Sequence, residues 1–153
     1  ARSGIKVGKV HVSSAVRADF GAMSDDPTRQ RAHRQLHSFK ETRYLHQSVI
    51  RRPGAQDTFY EDLPKALEQS PTGEWRIHFH VPLFLDRFGD LQSTQDQVIE
   101  CLGCTEALSE CRHYEVETYA WQVLPADLKC VDLSEGIVRE LTWLRRHAWS
   151  PHR

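Results

Sequence analysis

Glu74-Trp-Arg-Ile-His-Phe-His-Val-Pro-Leu-Phe84 is the stretch whose reading decides the fold. Trp75, Ile77, Phe79 and Val81 alternate with Arg76, His78 and His80. A period of two is the signature of a β-strand, whose successive side chains stand on opposite faces. The polar face carries two imidazoles and a guanidinium in a row. Pro82 has no N–H to offer a ladder, so the strand ends there and His80 lies near its C-terminal end.

Two further stretches show the same habit. In His113–Trp121, Glu115, Glu117, Tyr119 and Trp121 share one face, and Val116, Thr118 and Ala120 the other. In Lys9–Ser13, Lys9, His11 and Ser13 alternate with Val10 and Val12. If these strands are neighbours, their ionisable faces meet. Imidazole and carboxylate at adjacent strand ends are the groups of a divalent-metal site or of acid–base chemistry. A plain solvent-facing sheet is the competing reading, though Lys, Ser and Thr would serve it equally well.

The chain has 153 residues, enough for one domain with a core. Its formal net charge of −1 offers no bulk attraction to nucleic acid or to a membrane surface. No apolar run approaches a membrane span, and no secretory signal opens the sequence. The hydrophobic fraction of 39% is low for a self-sufficient domain, and the chain enters a strand soon after Ala1. The start at Ala1 rather than Met, with a strand so soon after it, reads as the tail of a longer protein. Cys101, Cys104, Cys111 and Cys130 cluster late in the sequence, unlike a secreted disulfide framework, which points to a reducing, cytoplasmic setting.

The remaining elements follow from local signals. Gly4–Ser14 reads as a strand and Ser13–Arg17 as the loop at its end. Pro27 opens a helix over Thr28–Phe39, with Ala32, Leu36 and Phe39 at helical spacing and a basic, solvated outside. Tyr44–Ile50 is a short strand, and a short helix surrounds Leu63, Ala66 and Leu67. Leu85–Asp90 reads as a loop with exposed aromatics, a common place for substrate contacts. Thr94 with Gln97 forms a capping box for a helix reaching about Glu110. The last helix starts near Asp132 with an apolar stripe of Leu133, Ile137, Val138, Leu141 and Leu144. Strand and helix alternate throughout, which predicts βα units, a largely parallel sheet and an active site at the C-terminal strand ends.

Candidate site residues follow from this placement. His78 and His80 share a strand face about 6.6 to 7 Å apart along the backbone, so they bracket one metal only if their side chains lean together. His80 is the better ligand, with His78 a substrate contact; a structural histidine with a backbone partner is the alternative for each. Glu117 sits among aromatics on an inward face, where a carboxylate is costly unless paired or metal-bound. Glu115, deeper in its strand, has Arg76 or Lys9 as partner. His11 is a further metal candidate, and Arg17 could hold an anionic or polyol substrate. His46 and Gln47 fall on opposite faces and carry no assignment. Cys101-Leu-Gly-Cys104 lies inside a helical pattern, without the context of a redox motif or the second pair of a zinc ribbon, and reads as buried or half-buried thiols.

Lys9-Val-His-Val-Ser-Ser-Ala-Val, Arg43-Tyr-Leu-His-Gln, Trp75-Arg-Ile-His-Phe-His-Val-Pro-Leu-Phe and Glu115-Val-Glu-Thr-Tyr-Ala-Trp-Gln-Val-Leu-Pro resemble the C-terminal part of EboE-type metabolite traffic proteins. These resemble the xylose-isomerase-like TIM-barrel superfamily of sugar isomerases, epimerases and apurinic endonucleases. The resemblance spans roughly Gly4 to Arg146. It implies that 1–147 are the C-terminal part of a (β/α)8 TIM barrel, with 148–153 as a flexible tail. It also implies a metal-binding His at His11, followed six residues on by a substrate-binding Arg at Arg17, and a metal-binding Glu at Glu117. Tyr44–Ile50 and Trp75–Pro82 would then be extra strands between the two. The superfamily's earlier strands, with its other Glu and Asp ligands, are absent, which implies a fragment or a subunit with an incomplete site.

The expected function is a divalent-metal-dependent isomerase- or epimerase-like, or hydrolase-like, step on a small metabolite precursor. His11, His80 and Glu117 would hold Mn, Mg or Zn; His80 and Glu117 would move protons; Arg17, Arg76 and His78 would orient substrate. Other proteins of the same gene cluster are the expected partners. The alternative is a non-catalytic metabolite-binding or interaction protein that keeps the barrel.

Overall fold

The computed structural model describes residues 4, 6–106, 111–129 and 132–148. Eight strands and four α-helices are present: β1 (Val10–Val12), β2 (Ser14–Asp19), α1 (Asp26–Leu36), β3 (Ser48–Arg51), β4 (Thr58–Tyr60), α2 (Leu63–Ala66), β5 (Glu74–Val81), β6 (Arg87–Phe88), β7 (Leu91–Ser93), α3 (Gln95–Glu106), β8 (Tyr114–Val116) and α4 (Leu133–Ala148). They build a mixed α/β structure with two sheets. The larger has six strands in the order β4-β3-β5-β2-β7-β6, and the smaller pairs β1 with β8.

The expected parallel sheet is corrected here. Every pairing in the six-stranded sheet is antiparallel, and among the described residues only β1–β8 is parallel. No closed barrel forms among the described residues. The reason lies in β5 itself. A strand covered on both faces by crossover helices is apolar on both; one apolar and one polar face is the pattern of an antiparallel sheet. Trp75, Ile77, Phe79 and Val81 are buried, whereas Arg76 is half-buried and His78 exposed.

Two segments read as loops are strands. Ser14–Asp19 is β2, the central partner of β5, and Arg87–Ser93 folds into the β6–β7 hairpin. Gly89, at φ +59°, makes the tight return between β6 and β7. Phe88, expected to be exposed, is buried. Thr94 does not form its capping box: its hydroxyl accepts the Ala15 N–H, while the Gln97 side chain accepts from Arg76. Beyond Val116 the chain leaves the expected strand for a 3-10 turn at Tyr119–Gln122. The expected tail lies outside the described residues, apart from Ala148, which closes α4.

Two apolar clusters result. The larger joins the buried face of β2 and β5 to Ala32 and Leu36 of α1, Phe39, Leu63 and Ala66 of α2, and Trp121. The smaller packs Val12, Leu83, Leu102 of α3, and Trp143, Leu144 and Ala148 of α4, against β1 and β8. Phe84 packs against both. No helix among the described residues is long and apolar enough to cross a membrane.

α4 turns only part of its predicted apolar stripe inward: Leu144 is buried and Ile137 half-buried. Leu133, Val138 and Leu141 are exposed, and Gly136, Glu140, Trp143 and Leu144 are buried. Glu140, 2% exposed, decides this rotation. One of its oxygens accepts the Leu83 N–H at 3.1 Å and the other the Trp121 indole N–H at 3.0 Å. Gly136 allows the approach, since a Cβ there would stand 2.3 Å from the Trp121 ring.

Burial raises the Glu140 pKa above the usual carboxylate range, against the lowering effect of its two hydrogen bonds. The folded chain therefore holds this proton more tightly than the unfolded chain. The linked stability is complete below the unfolded pKa and drains away as pH rises through the folded one. Glu140→Ala strands two buried donors and should cost about 2–4 kcal/mol in denaturant unfolding. Glu140→Gln should cost less and flatten the pH dependence of stability above pH 4.5.

Candidate functional site

Glu117 lies at the junction of the two sheets. The β1–β8 register sets His11 beside Glu115, and the ladder continues with the Glu117 N–H donating to the Val12 carbonyl at 3.2 Å. The Glu117 carboxylate then reaches both sheets. Oε1 lies 2.9 Å from His11 Nδ1, and Oε2 lies 3.1 Å from His80 Nδ1, a close contact bent away from straight hydrogen-bond geometry. His11 Nε2 stands 3.3 Å from Glu115, which is itself paired with Lys9 at 3.0 Å. Of the two partners expected for Glu115, Lys9 is the one it meets. The hydrogen bond from Lys9, ahead of its charge, holds the Glu115 pKa below the carboxylate norm.

His80 is brought to this junction by an irregularity in β5. The β2–β5 register slips between Ala15 and Val16, so that Ala15 faces His80 while Val16 faces Ile77. The His78 N–H leaves β2 and donates to the Gln47 carbonyl at 2.8 Å. The two imidazoles do lean together. His78 Nε2 and His80 Nε2 are 3.0 Å apart, with Ser13 Oγ 3.5 Å from the latter. His78 Nδ1 faces Gln47 Oε1 at 3.1 Å.

Burial is the main reason that the His80 pKa falls to about 4; the Glu117 charge opposes this, and the His78 and His46 charges add to it. At neutral pH His80 is therefore an uncharged imidazole. Facing a carboxylate, its Nδ1 is the nitrogen that carries the proton, which leaves Nε2 as a base or ligand.

Arg17 and Arg76 face each other across β2 and β5. Their guanidiniums are engaged around the start of α3. Arg17 donates to Gln92 at 3.0 Å and to Asp96 at 2.8 Å; Arg76 donates to Glu74 at 2.6 Å and to Gln97 at 2.9 Å. The structure thus brings His11, His78, His80 and Glu117 together and commits the two arginines to anchoring α3. Between β1 and α3 runs a cleft of about 200 Å³, lined by Val10–Ser13, Gln97, Val98, Cys101 and Leu102. Among the described residues, no three or more His, Cys, Asp or Glu side chains are grouped to hold a metal ion. Glu117 instead hydrogen-bonds His11 through Nδ1 and stands in close contact with His80 Nδ1.

Some supporting residues gave no signal in the sequence. His46, 3% exposed, packs its ring at a tilt against Phe79 and lies behind the site. Its Nε2 is 2.9 Å from Glu41, and its Nδ1 is 3.2 Å from the His78 carbonyl, which fixes the backbone carrying His78. Glu41 lies close in sequence, but nothing in their spacing marks the pair. The CxxC thiols, expected to be buried or half-buried, are corrected: Cys101 and Cys104 are exposed on α3 and free, and Cys111 is half-buried. Cys130 lies outside the described residues.

Comparison with protein-family models, with curated proteins and with solved structures found no match.

Since the Glu117 charge supports protonation of His80, Glu117→Gln should push the His80 pKa further below about 4. Imidazole chemical shifts followed against pH by NMR check this. A His80 titration that does not move would show that the carboxylate is not held beside it in solution.

Proposed function

We propose that this chain carries an acid–base site acting on a small polar metabolite, in the manner of the metal-assisted isomerases and epimerases, or hydrolases, of the xylose-isomerase-like barrels. The observation that carries the reading is Glu117 held between His11 and His80, at 2.9 and 3.1 Å. A carboxylate flanked by two imidazoles can pass a proton between ring nitrogens and a reacting hydroxyl or carbon. His80 is kept uncharged by burial and so begins as the acceptor. Glu117 stabilises the imidazolium that forms when His80 takes a proton. The cleft beside His11 is sized for a small ligand.

The barrel itself is part of the proposal. β1 and β8 are parallel neighbours with polar residues at their ends, β8 is followed by the long helix α4, and both outer edges of their ladder lack a strand partner among the described residues. Further parallel strands on those edges would make these two the last strands of a xylose-isomerase-like barrel. The six-stranded sheet would then be an elaboration between them. The resemblance to EboE-type metabolite traffic proteins supports the same arrangement. Carboxylate and imidazole donors suit a divalent ion of the Mn, Mg or Zn group, with Glu117, His11 and His80 as its holders. Such an ion, when bound, polarises a carbonyl or hydroxyl.

One observation favours a non-catalytic metabolite-binding protein as the second reading: Arg17 and Arg76, the groups expected to orient substrate, are taken up by α3. Proton exchange separates the two readings. The chain is incubated in D2O with small aldoses, ketoses and hydroxy acids, with Mn, Mg or Zn supplied, and carbon-bound deuterium is followed by mass spectrometry. Exchange that falls by about a hundredfold or more in Glu117→Gln is expected of the acid–base site. Ligand-induced thermal stabilisation with no exchange anywhere in the panel would replace it with the binding reading.

A further inference from the structure

The contact between His78 Nε2 and His80 Nε2 poses a problem of proton count. His80 turns Nδ1 to the Glu117 carboxylate at 3.1 Å, and His78 turns Nδ1 to the Gln47 carbonyl oxygen at 3.1 Å. Where both partners act as acceptors, both Nδ1 atoms carry the ring proton. In the neutral rings, each Nε2 then presents a lone pair, and the two lone pairs face each other at 3.0 Å. Either His78 donates from Nε2 to His80, with the Gln47 amide turned to donate to His78 Nδ1, or a cation stands between the two rings. That cation is either a proton, making one ring an imidazolium, or a metal ion.

We infer that His78 and His80 form, through their facing Nε2 atoms, a two-imidazole chelate for a borderline transition-metal ion such as Zn or Co, with Ser13, solvent or substrate completing its coordination. The inference rests on the reading of this cluster as a metal-assisted site, and it changes which atoms hold the ion. Three observations carry it. Two nitrogens bound to one ion at ordinary Zn–N lengths stand about 2.8 to 3.4 Å apart for angles between a right angle and tetrahedral, and the separation here, 3.0 Å, falls toward the right-angle end. Each ring is oriented through its other nitrogen by a carboxylate or an amide oxygen, as metal-ligating histidines regularly are. The carbonyl of His78 is in turn fixed by buried His46, so one wall of the chelate is held rigid. Ser13 Oγ, 3.5 Å from His80 Nε2, supplies a nearby oxygen. Imidazole-rich donors select Zn, Co, Ni or Cu over Mg and Ca, which prefer oxygen. Glu117, with both oxygens turned to imidazole Nδ1 atoms, becomes the group that orients the ligand.

The test is titration of the untagged chain with Co, followed by its visible absorption, and with Zn by calorimetry, with circular dichroism confirming that each variant is folded. One ion per chain is expected. His78→Ala is exposed and should fold; it and His80→Ala should each weaken binding about a hundredfold or more. Glu117→Gln and Gln47→Ala should weaken it about 10- to 100-fold, as partners of the ligands do. His11→Ala should change it by less than about threefold. Binding that survives His78→Ala but is lost in His11→Ala overturns the inference, as does a wild-type chain that takes up neither ion. The titration needs no turnover. A chain that binds Co through these two rings but exchanges no substrate proton keeps this inference and loses the catalytic reading; a chain that exchanges protons but binds no Co does the reverse.

Discussion

With Trp75, Ile77, Phe79 and Val81 locked in the core, β5 has no freedom to rotate about its axis. Arg76, His78 and His80 must therefore stand on the opposite face, and each meets whatever the topology lays there. A shift of one residue would send two imidazoles and a guanidinium into the core and four large apolar groups out of it. At about 1.5–3 kcal/mol for each buried large side chain, that alternative is closed. The position of His80 at the junction of the two sheets follows from apolar burial on the other side of its own strand together with the register slip in β5.

Glu140, Glu41 and His46, drawn inward, are each matched to a partner. Glu140 holds one backbone and one indole donor, and the pair of Glu41 and His46 holds the His78 carbonyl. Partnered in this way, a buried carboxylate or imidazole positions neighbouring elements, whereas the same group unsatisfied would undo the packing around it. Glu140 fixes α4 against the turn after β5. The Glu41–His46 pair fixes β5 from the opposite side. The chain thus braces the C-terminal half of the strand that carries His78 and His80, at the cost of desolvating three ionisable side chains.

The candidate site is a seam between two different kinds of sheet. β1 and β8 contribute His11 and Glu117 from a parallel ladder, and β5 contributes His78 and His80 from an antiparallel one. The two histidines of β5 differ in exposure, and with it in chemistry. His80 is uncharged because burial makes its cationic form costly, while its neighbour two residues away remains open to solvent. Such a pair, one ring sheltered and one accessible, suits a site where a ligand or ion must arrive from outside and be held by a group that does not compete for protons.

Period-two alternation was legible at β5, β1 and the start of β8, because it reports which side chains share a face and nothing more is needed. Pro27 at the start of α1 and the apolar positions of that helix were legible for the same local reason. Strand direction was not, since alternation is identical in parallel and antiparallel partners and only the pairing distinguishes them. β2 was hidden because Ser14–Asp19 is made of small and charged residues whose strand character comes from lying between β5 and β7. The inward face of α4 is legible only in part: hydrophobicity marks Leu144 and Ile137 but also the exposed Leu133, Val138 and Leu141, and it gives no sign of the buried, hydrogen-bonded Glu140. Composition marked His11, His78, His80 and Glu117 as chemically able. Which nitrogen of each ring faces which oxygen depends on distances between residues up to 106 positions apart, and only the folded chain sets those distances.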